Sequence, residues 1–311
     1  MKRAATLPLG IDVGTARTRV ALLARDPAGV PRLIAVAVRP TLNDPAAAIA
    51  QAHAELGTRE RRCVLAVAGP DALLRTAAFP PMGRGERERA ARFEAARFVP
   101  YPVAGAALRV TPLADGRFVV GVARKAALEA RVAAARAARL TPVAVDDGAL
   151  ALCRAFPHAD ALIDVGERAT TLVVPGDPIP SARVFATGGR AFTAAVAASL
   201  GIDEATAEQR KRSVGLAGAG EHARDGLVEQ LASALIETRA AARAELRAIV
   251  LAGNGARLCG LADALERAVQ IPVRMGALPA DAASALPPDV VRAASPDWGL
   301  AYGLALWEHA A

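Results

Sequence analysis

Two aspartates share one local setting. In GIDVGTARTRVALL (10–23) and in LIDVGERATTLVV (162–174) an apolar run reaches an Asp, one Val follows, then a Gly, a few turn residues and a second β run. Asp12 and Asp164 would each end a strand just ahead of a tight hairpin. Gly14 and Gly166 let the hairpin backbone come close to a ligand, so the turn N–H groups can wrap phosphate oxygens. Two such hairpins facing each other would set both carboxylates across one gap, where they can hold a hydrated Mg²⁺ through oxygen ligands. Thr15, Thr170 and Thr171 offer hydroxyls near the turns, and Arg19 offers positive charge. A third segment, VLAGNGARLCGL (250–261), runs a buried strand into Gly253-Asn254-Gly255-Ala256 at the start of a helix. Small residues there would let a flat ring lie against the backbone, and a helix start favours anionic groups. Singly, each segment also reads as a capped hairpin or an ordinary strand-to-helix turn. All three in this order read as a nucleotide cleft.

The elements around them repeat. Residues 9–13, 18–23 and 33–38 read as three strands separated by turns at 14–17 and 26–31, and 45–56 reads as a helix with Asp44 as N-cap and Gly57 as stop. The same opening returns at 161–165, 170–174 and 181–187, followed by Gly188-Gly189 and a helix. Helices are expected at 203–212 and 226–245, a buried strand at 248–252, a helix running on to 269, and a closing helix at 297–308. Residues 277–296, rich in Ala and Pro, read as a loop. Two copies of one βββαβα plan, starting about 150 residues apart, indicate a duplicated architecture. Between the copies, residues of about 62–144 have their own strand–helix–strand rhythm and read as an inserted subdomain.

The bulk properties narrow the class. The chain has 311 residues, which suits about two domains. No apolar run approaches the roughly 20 residues of a spanning helix, and the first residues lack the apolar core of a secretion signal, so a cytoplasmic protein is expected. The net charge of +7 is carried mostly by arginines scattered over many helices, with few aromatics to stack on bases, which does not suit nucleic acid. Cys63, Cys153 and Cys259 are odd in number, far apart and in apolar contexts, so buried reduced thiols are expected. The four histidines show no ligand spacing.

The order of first phosphate hairpin, second phosphate hairpin and Gly-rich adenosine loop is similar to that of the superfamily of actin, the DnaK-type chaperones and the sugar kinases. Within it the chain resembles the PilM family of type IV pilus assembly proteins. RFEAARFVPYP (92–102) resembles that family's Glu-containing helix followed by an aromatic-x-Pro-Tyr-Pro block. FVVGVARKAALEARVAAARAARLTPVAVD (118–146) and GGRAFTAAVAASLGIDEATAEQRKR (188–212) resemble the segments that follow it, and the resemblance spans essentially the whole chain.

That resemblance implies an α/β, two-domain actin-like ATPase fold of duplicated ribonuclease H-like domains. Domain I would cover 1–157 with the insertion. Domain II would cover 158–311, with a smaller part at about 203–245 and the last helix packing back toward domain I. ATP and Mg²⁺ would lie between the domains. Asp12, Gly14, Thr15 and Arg19 match the first phosphate loop, with Arg where Lys is usual. Asp164, Gly166, Thr170 and Thr171 match the second, and Gly188 and Gly189 the paired glycines beyond it. Glu208 and Lys211 match the pair lining the adenosine side, and Gly253, Gly255 and Ala256 match the adenosine loop, with Asn254 where a middle Gly is common. An acidic residue usually opens the helix after VDD, in a position to orient an attacking water. Gly148 stands there, with Asp147 one step earlier, and Asp147 reads equally as a helix N-cap.

The resemblance also implies a cytoplasmic scaffold, peripheral at the inner membrane, that binds the cytoplasmic tail of a PilN-like inner-membrane protein in the groove between domain I and its insertion. Self-association is left open. Other readings are an FtsA-like cell-division protein, which calls for an amphipathic C-terminal helix after a linker, a related secretion or competence component, and a small-molecule kinase, which calls for a base facing a substrate hydroxyl.

Overall fold

The computed structural model describes residues 6–216, 218–242, 245–278 and 295–307. Its frame is a pair of five-stranded mixed sheets of identical plan. In the first, β1 (Leu9–Val13), β2 (Arg17–Arg25) and β3 (Pro31–Pro40) form an antiparallel meander. β4 (Arg62–Val67) and β8 (Thr141–Asp147) then add in parallel on the far side of β1, giving the order β3-β2-β1-β4-β8. In the second, β9 (Ala161–Val165), β10 (Thr170–Val174) and β11 (Ser181–Phe185) form the meander. β12 (Ile249–Ala252) and β13 (Val273–Met275) add in parallel, giving β11-β10-β9-β12-β13. The doubled motif in the sequence is thus a doubled topology, and both aspartates stand near the carboxyl end of the first strand of their sheet, where open α/β sheets bind ligands.

A third sheet, in the order β5-β7-β6, is built from β5 (Ala72–Ala77), β6 (Ala106–Pro112) and β7 (Phe118–Arg124). α2 (Arg84–Ala95) packs against it and buries Ala91 and Ala95. This narrows the inserted unit expected at about 62–144. β4 and β8, which bracket it, belong to the first sheet, and α3 (Lys125–Ala137) packs on β4, β8 and α1 (Pro45–Leu56). A strand–helix–strand rhythm cannot by itself say which sheet each strand joins, because that is decided by long-range pairing.

The helices fall where the caps predict. Asp44 accepts from the Ala47 amide at 3.0 Å, and α1 stops at Gly57 in the left-handed conformation. α5 (Gly189–Leu200), α6 (Glu204–Val214), α7 (Glu221–Ala242) and α8 (Leu261–Val269) surround the second sheet. Its core includes Ile163, Leu172, Phe192, Leu231 and Leu265, all essentially sealed from solvent. One departure concerns the helix expected to run from the Gly-rich loop to residue 269. A 3₁₀ turn covers Asn254–Arg257, and α8 begins only after Gly260, whose left-handed backbone breaks the run.

Between the sheets lies a central layer made by α4 (Gly148–Ala155) and α9 (Gly299–Ala305). One apolar cluster there joins Leu7, Leu23 and Leu33 of the first half, Leu162 and Val173 of the second, Trp298 just ahead of α9, and Ala301 and Tyr302 within it. α9 sits so close to domain I that a Cβ on Gly303 would overlap the Ala151 carbonyl of α4. One on Gly10 of β1 would overlap the Ala301 carbonyl. α9 thus meets both α4 and β1 backbone to backbone. Residues 279–294, most of the loop read at 277–296, lie outside the described residues, as does the end of the helix expected at 297–308. No helix among the described residues is long and apolar enough to cross a membrane. Cys63 is buried as expected, but Cys153 is only half-buried and Cys259 is exposed, beside the Gly260 break.

Candidate functional site: a cleft between the two halves

Each hairpin closes on itself and is tied down behind. The Gly14 amide donates to the Arg17 carbonyl at 3.1 Å, and the Gly166 amide to the Ala169 carbonyl at 2.9 Å. The antiparallel register sets Thr18 opposite Val13 and Thr170 opposite Val165, and both threonines are fully buried. Thr18 Oγ1 meets Thr41 Oγ1 at 3.1 Å, and Thr41 Oγ1 donates to the Gly14 carbonyl at 2.8 Å. Thr170 Oγ1 donates to the Thr187 carbonyl at 2.7 Å. In both halves a threonine locks the hairpin to the loop after the third strand. Thr170, expected to offer its hydroxyl to a phosphate, holds the backbone instead.

The hairpins face each other across a cleft of about 1120 Å³. Of the residues expected in a nucleotide site, Asp12, Gly14, Thr15, Arg19, Asp164, Gly166, Gly189, Glu208, Lys211, Gly253, Asn254 and Gly255 line it. Gly188 is buried behind it, where it caps α5 while the Gly189 amide donates to the Gly166 carbonyl at 2.9 Å. Ala256 is buried under the 3₁₀ turn. Thr171 and Asp147 face a separate small cavity behind Asp164.

The two aspartates have different neighbours. Opposite Asp12 in the strand pair is Arg19, and opposite Asp164 is Thr171. The Arg19 guanidinium, itself buried, lies 3.6 Å from an Asp12 oxygen and 3.6 Å from an Asp297 oxygen. Asp297 also accepts from Arg257 Nε at 3.0 Å. A run of alternating charges, Asp12–Arg19–Asp297–Arg257, thus crosses the cleft floor from one half to the other. Burial raises the Asp12 carboxyl above its ordinary value of 3.8, and Arg19 and Arg131 draw it back. Burial, helped by the charges on Asp12 and Asp297 and opposed by Arg19, pushes Asp164 up to about 6.

The opposite wall is equally ordered. Lys211 Nζ donates to the Gly189 carbonyl at 2.9 Å and to Thr193 Oγ1 at 2.7 Å, and it pairs with Glu208 at 2.6 Å. These contacts clamp α6 onto the start of α5 and fix the width of this side. The loop after β12 closes onto the second hairpin. Gly253 has φ +78°, and a Cβ there would overlap the Asp164 carboxylate and come within 2.6 Å of the Val165 carbonyl. Backbone, not side chain, therefore meets whatever lies between loop and hairpin. Asp147 accepts from the Ala149 amide at 2.8 Å and the Leu150 amide at 3.3 Å at the start of α4, and burial pushes it up to about 6.

Several functional groups escape sequence reading. Arg17 and Arg168 sit on the two hairpins, Arg131 comes from α3 and Asp297 from just ahead of α9, and all four line the cleft. The hairpin arginines were visible as residues within the motifs. Arg131 had one faint signal: positions three and four away on its helix are Ala127, Leu128, Ala134 and Ala135, so it has no acid within helical reach. Asp297 had none.

The donor set suits a nucleoside polyphosphate with a divalent cation. The cleft is large enough for a nucleotide, arginines and turn amides meet negative charge, and two buried carboxylates enter from opposite walls. A hydrated cation between them would offset the burial and the added repulsion that together raise Asp164.

The sequence profile of a family described as "Type IV pilus assembly protein PilM" matches residues 41–309. Among solved structures, the chain is similar to one from a "PilM-PilN type IV pilus biogenesis complex", with 27% identity and TM-score 0.83, covering 96% of this chain and 98% of that one. It is similar in fold to the ethanolamine utilization protein EutJ from Carboxydothermus hydrogenoformans, with 17% identity and TM-score 0.59, covering 97% and 90%. It is also similar in fold to a diol dehydratase-reactivating factor in nucleotide-free form, with 11% identity and TM-score 0.56, covering 99% and 100%. No curated protein matches by sequence.

Proposed function

The chain belongs to the PilM family of type IV pilus assembly proteins, and from that membership we propose that it is a scaffold of the pilus assembly complex whose cleft binds ATP with Mg²⁺. The observation that carries the nucleotide reading is the convergence of Asp12 and Asp164 from two topologically equivalent strands onto one cleft. Gly14, Thr15 and Gly166 would present turn amides and a hydroxyl to the phosphates, and Asp12 and Asp164 would hold Mg²⁺ through its waters. Gly253, Asn254 and Gly255 on one side and Glu208 with Lys211 on the other would enclose the nucleoside. Asp147 is assigned to capping α4, since two amides already claim its carboxylate and it faces the small cavity rather than the cleft. Nucleotide binding, not turnover, is the working property.

The partner is the cytoplasmic tail of a PilN-like inner-membrane protein. The support is the 27% identity, over nearly the whole chain, to a structure of a PilM–PilN complex. The groove between the first domain and the inserted three-stranded sheet would receive the tail, and the protein would then sit in the cytoplasm, peripheral at the inner membrane. A nucleotide that closes the two halves would bias that groove by shifting populations. Calorimetry with ATP–Mg²⁺ tests the first part: wild type is expected to bind and Asp12→Ala to bind at least tenfold more weakly. Equal affinity would remove Asp12 from the site. Titration of a PilN-type tail peptide with and without ATP–Mg²⁺ tests the coupling, and identical affinities would refute it.

A further inference from the structure

Arg19 stands where a phosphate-binding cation is expected, yet its guanidinium is already held between Asp12 and Asp297, 3.6 Å from each. Asp297 in turn holds Arg257. With Asp12, Asp164 and Asp297 set against Arg19 and Arg257, the floor of the cleft carries a formal charge of −3 + 2 = −1. A polyphosphate would meet net repulsion there unless other cations answer it. Three arginines line the same cleft and form no ion pair among the described residues: Arg17 on the first hairpin, Arg168 on the second, and Arg131 on α3. The hairpin arginines flank the gap itself. Arg131 reaches it from a different element, half-buried, and its charge draws the Asp12 carboxyl back toward its ordinary value.

α3 is joined to the inserted sheet without a linker. β7, the central strand of that sheet, ends at Arg124, and α3 begins at Lys125. The junction is rigid. The Arg124 amide donates to the Asp71 carbonyl at 2.7 Å and its Nε to the Asp71 carboxylate at 2.8 Å. Its guanidinium lies 4.4 Å from the centre of the Tyr101 ring, and the Tyr101 hydroxyl donates to the Asp71 carbonyl at 3.2 Å. The tyrosine of the Pro-Tyr-Pro block is thus a pin at the root of the insertion.

We infer that Arg131 is a specificity-determining ligand for the terminal phosphate of a nucleoside triphosphate, and that through α3 it ties the number of phosphates in the cleft to the position of the inserted sheet. The inference rests on the nucleotide reading given above. A diphosphate, held by the hairpins, would leave Arg131 with only the Asp12 carboxylate to act on. A triphosphate would supply a second anion and draw α3 toward the cleft.

The test is calorimetry of ATP–Mg²⁺ and ADP–Mg²⁺ on wild type, Arg131→Ala and Arg131→Lys, with thermal melting to confirm folding. The expected result is an affinity for ATP about tenfold lower in Arg131→Ala, an affinity for ADP changed less than twofold, and partial recovery of ATP affinity in Arg131→Lys. Equal losses for both nucleotides, or no loss for either, would overturn the role. If Arg131→Ala does not fold, the ATP-to-ADP ratio in Arg131→Lys decides: an unchanged ratio overturns it. A wild type that binds neither nucleotide would overturn the ATP reading itself. Hydrogen exchange across 106–124 gives a second readout, expected to slow with ATP more than with ADP in wild type and equally with both in Arg131→Ala. Equal slowing in wild type would sever the link to the insertion.

Discussion

The two Asp-x-Gly hairpins have the same strands, the same register and the same buried threonine lock, yet they are not electrostatic equals. Asp12 faces an arginine across the strand pair and Asp164 faces a threonine. One carboxylate comes with a built-in counter-cation, whereas the other is raised to about 6 with only distant help. Their loops differ too. The residue after β4 is Ala68, which leads into the insertion, whereas the residue after β12 is Gly253, which folds back onto Asp164. Duplication supplied a symmetric cradle, and divergence assigned the halves different tasks. The first half carries the fixed charge and the inserted sheet. The second keeps an acid without a paired cation and a close-fitting backbone loop over it.

The comparison breaks most completely at Gly253. Gly253→Ala should destabilise the protein by about 2–4 kcal/mol, from left-handed strain and overlap with Asp164 and Val165 combined. Urea unfolding would read this, and nucleotide binding should be lost with it. Next is Arg19→Thr, which makes the first hairpin resemble the second. Removing one member of a buried charge set should cost about 2–3 kcal/mol at pH 8. The loss should shrink as pH falls, since Asp12, already raised by burial, takes up its proton more readily once Arg19 is gone.

Asp164→Asn sharpens the contrast with opposite sign. A carboxyl whose folded value is raised binds its proton more tightly when folded, so nucleotide-free stability falls as pH rises from 3.8 through about 6. The amide escapes that penalty, so this variant should melt a few degrees higher than wild type at pH 7.5, by about 1–2 kcal/mol. The difference should disappear toward pH 4, while Mg²⁺-dependent ATP affinity falls at neutral pH and above, where wild-type Asp164 is ionised. Smallest are the locks: Thr18→Val and Thr170→Val should each cost about 1 kcal/mol, the value of one buried hydrogen bond. Similar losses in the two would show that the tie is shared by both halves.

The sequence made the cradle legible because its parts are local. A strand, an Asp, a Gly and a second strand lie within a dozen residues, and finding the pattern twice revealed the duplicated sheet. The Gly-rich loop was legible for the same reason. What stayed hidden arrives from far along the chain. Asp297 reaches the floor nearly 300 residues after Asp12, and Arg131 reaches it from a helix whose pattern of alanine and arginine resembles a solvated face. Thr170 was assigned to the phosphates because a hydroxyl beside a turn is as apt to serve a ligand as a backbone carbonyl, and only the alternation of faces along β10 decides between them. The membership of β4 and β8 in the first sheet was likewise a matter of long-range pairing.

α9 meets domain I glycine to backbone, at Gly10 and Gly303. The first sheet is made early by the ribosome, but the helix that seals its inner face is translated some 250 residues after the end of β3. Until then Leu7, Leu23 and Leu33 lack their cover. Domain I is thus expected to await the rest of the polypeptide before it becomes stable, so a nascent chain halted near residue 160 should be protease-sensitive and a natural client for chaperones.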